Sequence, residues 1–112
     1  MMSRVVILNA HNFNQEVLET SMPVLVDFWG SWCAPCKMVE SVIDALAEEL
    51  EDTVKIAKCN VDQNPQIQQM YDVAGVPTFI LFKDGDILKR EVGALSKEQL
   101  LNMIEQGLGI KG

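Results

Sequence analysis

No stretch of this 112-residue chain is apolar for long enough to cross a bilayer, and none has the length of a signal-peptide core. The apolar run nearest the N-terminus, Val5-Val6-Ile7-Leu8, is short and gives way to polar Asn9, His11 and Asn12, so it reads as a first strand. Without an export segment the chain is expected in the cytosol, where thiols are kept reduced. Basic residues are scarce too. Nine Lys and Arg stand against sixteen Asp and Glu, giving a formal charge of -7. That balance argues against nucleic acid and against anionic membranes as partners. Histidine occurs once, as His11, and reads as an ordinary loop residue. Repeats, linkers and low-complexity tracts are absent, which leaves a single domain over residues 1–112, large enough to bury a core.

What is present alternates strand with helix. Asn12 and Gln15 have capping-box spacing for a helix through about Glu19. Val24 to Trp29 is nearly continuous in apolar residues, as in a central strand covered on both faces. Met38, Val39, Val42, Ile43, Leu46 and Leu50 recur at helical spacing, with Glu40, Asp44, Glu48 and Glu49 on a solvated face. A strand over Val54 to Val61 follows, and crossovers of this length imply parallel pairing. Pro65 opens a short helix to about Tyr71. Thr78–Phe82 and Ile87–Val92 flank an Asp84-Gly85 hairpin signal. Ser96 and Gln99 form a second capping box before a last helix, ended by Gly107 and Gly109. The fold class is α/β: three αβα layers, with a central mixed five-stranded sheet and four flanking helices.

Two of the three cysteines, Cys33 and Cys36, sit two residues apart between the Val24–Trp29 strand and the helix after it. A helix start favours negative charge, because its first N–H groups are unpaired and its dipole is positive there. A cysteine at that place has its thiolate favoured, and the thiolate is the nucleophile of disulfide exchange. A second cysteine one turn later is within reach to resolve a mixed disulfide. A purely structural bridge is the first alternative, but closing so short a loop removes only about 2 kcal/mol of unfolded-chain entropy. A zinc site is the second. It would need ligands at metal-like spacing, whereas there is no second CxxC and His11 is remote. Cys59 reads as a buried small hydrophobe. The six methionines are scattered and suggest no cofactor pocket.

Asp27 interrupts the run Val24-Leu25-Val26-Asp27-Phe28-Trp29 and is therefore at a sheet edge or buried. Burial disfavours its charged form and suits it to proton transfer. Lys58 breaks the neighbouring apolar strand in the same way, and a structural ion pair is the plainer reading of the two. Pro77 precedes the Thr78 strand, a permitted place for proline.

These segments together resemble the thioredoxin family along essentially the whole chain. The resemblance rests on Val26-Asp27-Phe28-Trp29, Trp32-Cys33, Pro35-Cys36-Lys37-Met38 and Ala57-Lys58. It extends through Val61-Asp62-Gln63-Asn64-Pro65, Gly75-Val76-Pro77-Thr78 and Val92-Gly93-Ala94-Leu95-Ser96. It implies a thioredoxin fold and a general protein disulfide reductase. Cys33, first and at an exposed helix start, would be the nucleophile and Cys36 the resolving thiol. Asp27 would lie beneath Cys36 and take its proton through water, with Lys58 modulating it. A cis Val76–Pro77 bond would sit beside the cysteines, present the Val76 backbone to a substrate strand and keep metal off the thiolates. Trp32, Ala34, Pro35, Ala74, Gly75, Val76, Pro77, Gly93 and Ala94 would form the docking surface for disulfide-containing protein substrates. No cofactor is expected on the chain itself beyond the redox-active Cys33–Cys36 pair. Reducing equivalents would come from NADPH through thioredoxin reductase, and the chain would act as a monomer.

Two departures from the family pattern stand out. Ala34-Pro35 replaces the commoner Gly-Pro between the cysteines, and alanine stiffens a helix start. Ser41 stands where the family usually has a helix-kinking proline, so a continuous helix from Ala34 to Leu50 is expected. Two other readings stay open: a thiol oxidant or isomerase on the same fold, and a non-redox binding module using the Trp32–Pro77 surface.

Overall fold

Alternation of side chains across five strands produces two cores, one on each face of a single sheet. The computed structural model describes residues 4–110, so Met1, Met2, Ser3 and the last two residues of the expected 1–112 domain lie outside the described residues. The strands are β1 (Val6–Ile7), β2 (Val24–Trp29), β3 (Lys55–Asn60), β4 (Thr78–Lys83) and β5 (Asp86–Val92), in the order β1-β3-β2-β4-β5. β1 and β2 run parallel to β3, while β2–β4 and β4–β5 are antiparallel. The mixed sheet is thus the expected one, and β2 is its centre. The Asp84-Gly85 hairpin also forms, with Lys83 opposite Asp86 and both loop residues at positive φ, 53° and 82°. That geometry matches the twist of the flanking strands.

On one face Leu25, Ile56, Phe79 and Leu81 pack beneath α2 (Glu40–Glu49) and α4 (Lys97–Leu108), through Ile43, Leu46, Leu100, Met103 and Ile104. On the other, Val24, Val26, Phe28, Ala57, Cys59, Ile80 and Phe82 pack against Phe13, Val17 and Ile67, the last from α3 (Pro65–Met70). By the same alternation Asp27 and Lys58 belong to the α2 and α4 face.

Four local expectations are corrected. The segment after Asn12 is a π-helical turn over Asn14–Leu18, closed by Glu19 N–H donating to Asn14 O at 2.8 Å. Its capping box does not form. Instead the Asn12 carboxamide oxygen accepts from Asn9 N–H, while Asn12 N–H donates to the Asn9 side chain, so the residue is spent on the preceding turn. The helix after Cys33 is not continuous. It divides at Val39 into α1 (Ala34–Met38) and α2, with Val39 at ψ -1°, although Ser41 lies within a regular helix. Val39 is buried in the core, and the helix divides there without a proline. Met38, expected on the apolar stripe, is instead 74% exposed at the end of α1. Gly107 does not end α4 but lies inside it: a Cβ there would come within 2.4 Å of Leu81 Cδ2. Gly109, at φ 74°, is the terminator. The Ser96–Gln99 capping box forms as expected, each side chain bonded to the other's backbone N–H.

Candidate active site

Three chain segments converge at the end of β2. The first begins with Gly30, whose carbonyl accepts from Cys33 N–H at 3.1 Å and turns the chain into α1. Cys33 caps that helix from an extended conformation, and its Sγ accepts from Cys36 N–H at 3.1 Å. Pro35 falls in the first turn, where a missing N–H costs nothing. Cys33 and Cys36 are joined as a disulfide across a Cα–Cα distance of 5.3 Å. Both are buried; Cys33 is only 3% exposed, not the exposed residue expected. What stands out into solvent is Trp32, at 69%. Its indole N–H donates to Asp62 Oδ1 at 3.0 Å. The ring lies across Gly30, where a Cβ would come within 2.9 Å of it.

The second segment is the loop before β4. Val76–Pro77 is cis, and the Val76 carbonyl oxygen lies 3.6 Å from Cys33 Sγ. The Thr78 hydroxyl donates to Gly75 O and ties the loop to the strand. The third segment follows β5. Gly93 N–H donates to Pro77 O at 2.9 Å, and φ 114° at Gly93 is accessible to few residues besides glycine. Of the expected docking residues, Trp32, Ala34, Pro35, Ala74, Gly75 and Ala94 are exposed, Val76 and Gly93 half-buried, and Pro77 buried. Pro77 thus contributes position and not surface.

Asp27 is 1% exposed, so the buried reading holds and the edge reading falls. Loss of solvation pushes its pKa up to about 7; Lys58 pulls it down and Glu40 pushes it up. Its Oδ1 has no hydrogen-bond partner among the described residues. Lys58 lies opposite Asp27 in the β2–β3 register. Its ammonium is 3.7 Å from Glu40 Oε1 and 4.6 Å from the centre of the Trp29 ring. Cys59 is buried and free, its thiol pushed up to about 11 by desolvation, as suits an inert core residue. Among the described residues no group of three or more His, Cys, Asp or Glu side chains could hold a metal. Also among them, no helix is long and apolar enough to cross a membrane.

Sequence reasoning gave Asp62 and Gly30 no role of their own and placed Glu40 on a solvated helix face. The Asp62–Trp32 bond spans thirty residues and the Glu40–Lys58 pair joins helix to strand. No local pattern carries either one. Exposed Val92, beside Gly75, lies outside the docking set expected from the sequence.

A CxxC disulfide at a helix start, beside a cis-proline loop on a mixed five-stranded sheet, defines a thiol–disulfide oxidoreductase. Residues 4–106 match the family model described as Thioredoxin. The chain is 47% identical to Thioredoxin 1 of Synechococcus elongatus over 96 residues, covering 86% of this chain and 90% of the relative. It is 41% identical over 108 residues to the thioredoxins of Acidithiobacillus ferridurans and Pseudomonas aeruginosa, covering 96% of this chain and all of each relative. The chain belongs to the thioredoxin family, and it is a protein disulfide reductase. Like other members it needs no cofactor of its own.

Proposed function

We propose that Cys33 is the nucleophile and Cys36 the resolving thiol of a general protein disulfide reductase contained in one domain. The observation that carries this is the placement of Cys33 Sγ, which accepts Cys36 N–H at 3.1 Å and lies 3.6 Å from the Val76 carbonyl. A backbone N–H directed at sulfur favours the thiolate over the thiol. In the reduced protein the Cys33 thiolate attacks a substrate disulfide. The Cys33–substrate S–S bond forms, the substrate S–S bond breaks, and one substrate thiolate leaves. Asp27, ionised, accepts the Cys36 proton. The Cys36 thiolate then attacks Cys33 Sγ, closing the intramolecular disulfide and releasing the second substrate thiolate. Two electrons pass to the substrate, which takes up two protons.

Lys58 tunes Asp27 by opposing its desolvation penalty. Trp32, Ala34, Pro35, Ala74, Gly75, Val76, Gly93 and Ala94 form the docking surface, seated on Pro77. Small residues let a substrate strand approach the Val76 backbone closely. Regeneration of the dithiol takes two electrons from NADPH through thioredoxin reductase. The chain works as a monomer in the cytoplasm.

Changing Cys36 to Ser tests the assignment of the two thiols. The variant is expected to accumulate substrates covalently on Cys33, while Cys33→Ser accumulates none. Trapping on Cys36 instead would reverse the roles. Equilibration against redox buffers tests direction: a potential near the roughly -270 mV of thioredoxins marks a reductant, and one near roughly -120 mV an oxidant.

A further inference from the structure

Lys58 neighbours two carboxyl groups and forms an ion pair with one of them. Its register neighbour on β2 is Asp27, buried and on the same face of the sheet. The ion pair it makes among the described residues is with Glu40, on the first turn of α2. Trp29, the last residue of β2, lies beneath the ammonium at 4.6 Å and steadies it over the ring face. Asp27 Oδ1 meanwhile has no hydrogen-bond partner among the described residues. A lysine free to choose would be drawn to the less solvated of two carboxylates, where the attraction is least screened. Here it is aimed at the exposed one.

After the break at Val39, α2 begins with Glu40, and its carboxylate lies 3.7 Å from the Lys58 ammonium. An acidic residue is favoured at a helix first turn in any case. We propose that Glu40 is a positioning residue, which holds the Lys58 ammonium toward the helix and away from Asp27, and so sets how readily Asp27 gives up its proton. Glu40 touches no reacting atom and acts only through Lys58 and its own charge. The charged groups acting on Asp27 are Lys58 from β3 and Glu40 from α2. Its β4 neighbour Phe79 is uncharged, and in the oxidised protein Cys33 and Cys36 are tied together.

The consequence for catalysis rests on the reading that Asp27 receives the Cys36 proton, so the test separates the two. The Asp27 carboxyl is titrated by carbon NMR in the oxidised full chain, wild type and Glu40→Gln. With Glu40 neutral, Lys58 is released toward Asp27 and a repulsive charge is lost, so both effects lower the midpoint. A fall of roughly 0.2–0.7 pH units is expected, the range that exposed ion pairs produce. The difference shrinks at about 1 M salt, where screening acts within about 3 Å. Glu40→Asp, which keeps the charge on a shorter arm, restores part of the wild-type midpoint. An unchanged midpoint in Glu40→Gln overturns the proposal, as does a shift undiminished by salt. A change in melting temperature without a change in midpoint likewise reduces Glu40 to a structural residue. The pH profile of disulfide reduction, measured in parallel, is expected to move to lower pH with the midpoint. If the midpoint falls and the profile stays, Glu40 holds its role and the assignment of Asp27 to proton transfer is what fails.

Discussion

The two faces of the sheet are built from the same five strands to different ends. Against the π-turn and α3 the centre of the face is apolar: Phe13, Tyr71 and Phe82 form an aromatic layer, with ring centres 5.4 Å apart for Phe13–Tyr71 and for Tyr71–Phe82. Cys59 lies in that face and is inert. Against α2 and α4 the face is equally well buried, yet it contains Asp27 and Lys58. One residue's alternation along β2 decides which side Asp27 falls on, and it falls on the side of the helices that follow the cysteines. One core is therefore free to maximise packing, while the other gives up stability to hold a buried titratable group.

The largest effect is expected from emptying the apolar face. Phe82 is fully buried and contacts Phe13 edge-on at 6.2 Å between ring centres. Phe82→Ala is expected to cost about 3–5 kcal/mol by denaturant unfolding, equally at pH 5 and pH 8. A pH-dependent loss would mean that the two faces are coupled electrostatically, and the contrast between them would fail.

Asp27→Asn should act in the opposite direction and depend on pH. The folded carboxyl titrates at about 7, above its ordinary value of 3.8, so the folded state holds the proton more tightly than the unfolded state. The stability this contributes is fully present below 3.8, declines as pH rises, and is gone above about 7. Asparagine cannot ionise and avoids the decline. Near pH 8 the variant is expected to be more stable than wild type by up to about 4 kcal/mol, the size of a three-unit shift. Near pH 3.5 the two should coincide. A gain of equal size at both pH values would show that Asp27 binds its proton no more tightly in the folded chain than in the unfolded one. The gain in stability should come with slower release of substrate from Cys33.

How much of this was legible depends on the range over which each interaction acts. Strand and helix identity follows from period and turn chemistry, as at Asp84-Gly85 and at the Ser96 capping box, so the five-stranded sheet could be read from local pattern. The CxxC and the carboxyl inside an apolar strand are likewise local signals. Asn12 failed because an Asx side chain serves the turn before it as readily as the helix after it. The helix break was not legible because the absence of proline removes one cause of a kink and leaves others. Gly107 looked like a terminator because its reason for being glycine, Leu81, is twenty-six residues away in sequence.

Gly107→Ala probes that packing on the ionisable face at a smaller scale. Alanine gains about 1 kcal/mol of helix propensity, while overpacking a filled core costs about 1–3 kcal/mol. Leu81 is fully buried and Lys89 Cγ would be 3.3 Å from the new methyl, so neither neighbour yields freely. A net loss of roughly 1 kcal/mol is expected in unfolding measurements. A gain would show that Leu81 has a second rotamer available and that this core is looser than its burial suggests.

The smallest stability effect, and the one most confined to function, belongs to Asp62. Its bond to the Trp32 indole lies at the surface, so Asp62→Ala should change unfolding by less than about 1 kcal/mol. The bond and Gly30 together fix one orientation of an otherwise exposed ring. Releasing the ring costs ordering entropy each time a protein substrate docks. KM for a protein disulfide is therefore expected to rise about two- to tenfold, the worth of one net hydrogen bond, with kcat little changed. A small aromatic disulfide, which reaches sulfur without spanning the docking surface, should be reduced at the wild-type rate. Equal losses on both substrates would place Asp62 with the sulfur chemistry of the α2 face. Loss on the protein substrate alone assigns it to docking, separate from the Asp27–Lys58–Glu40 group proposed for proton transfer.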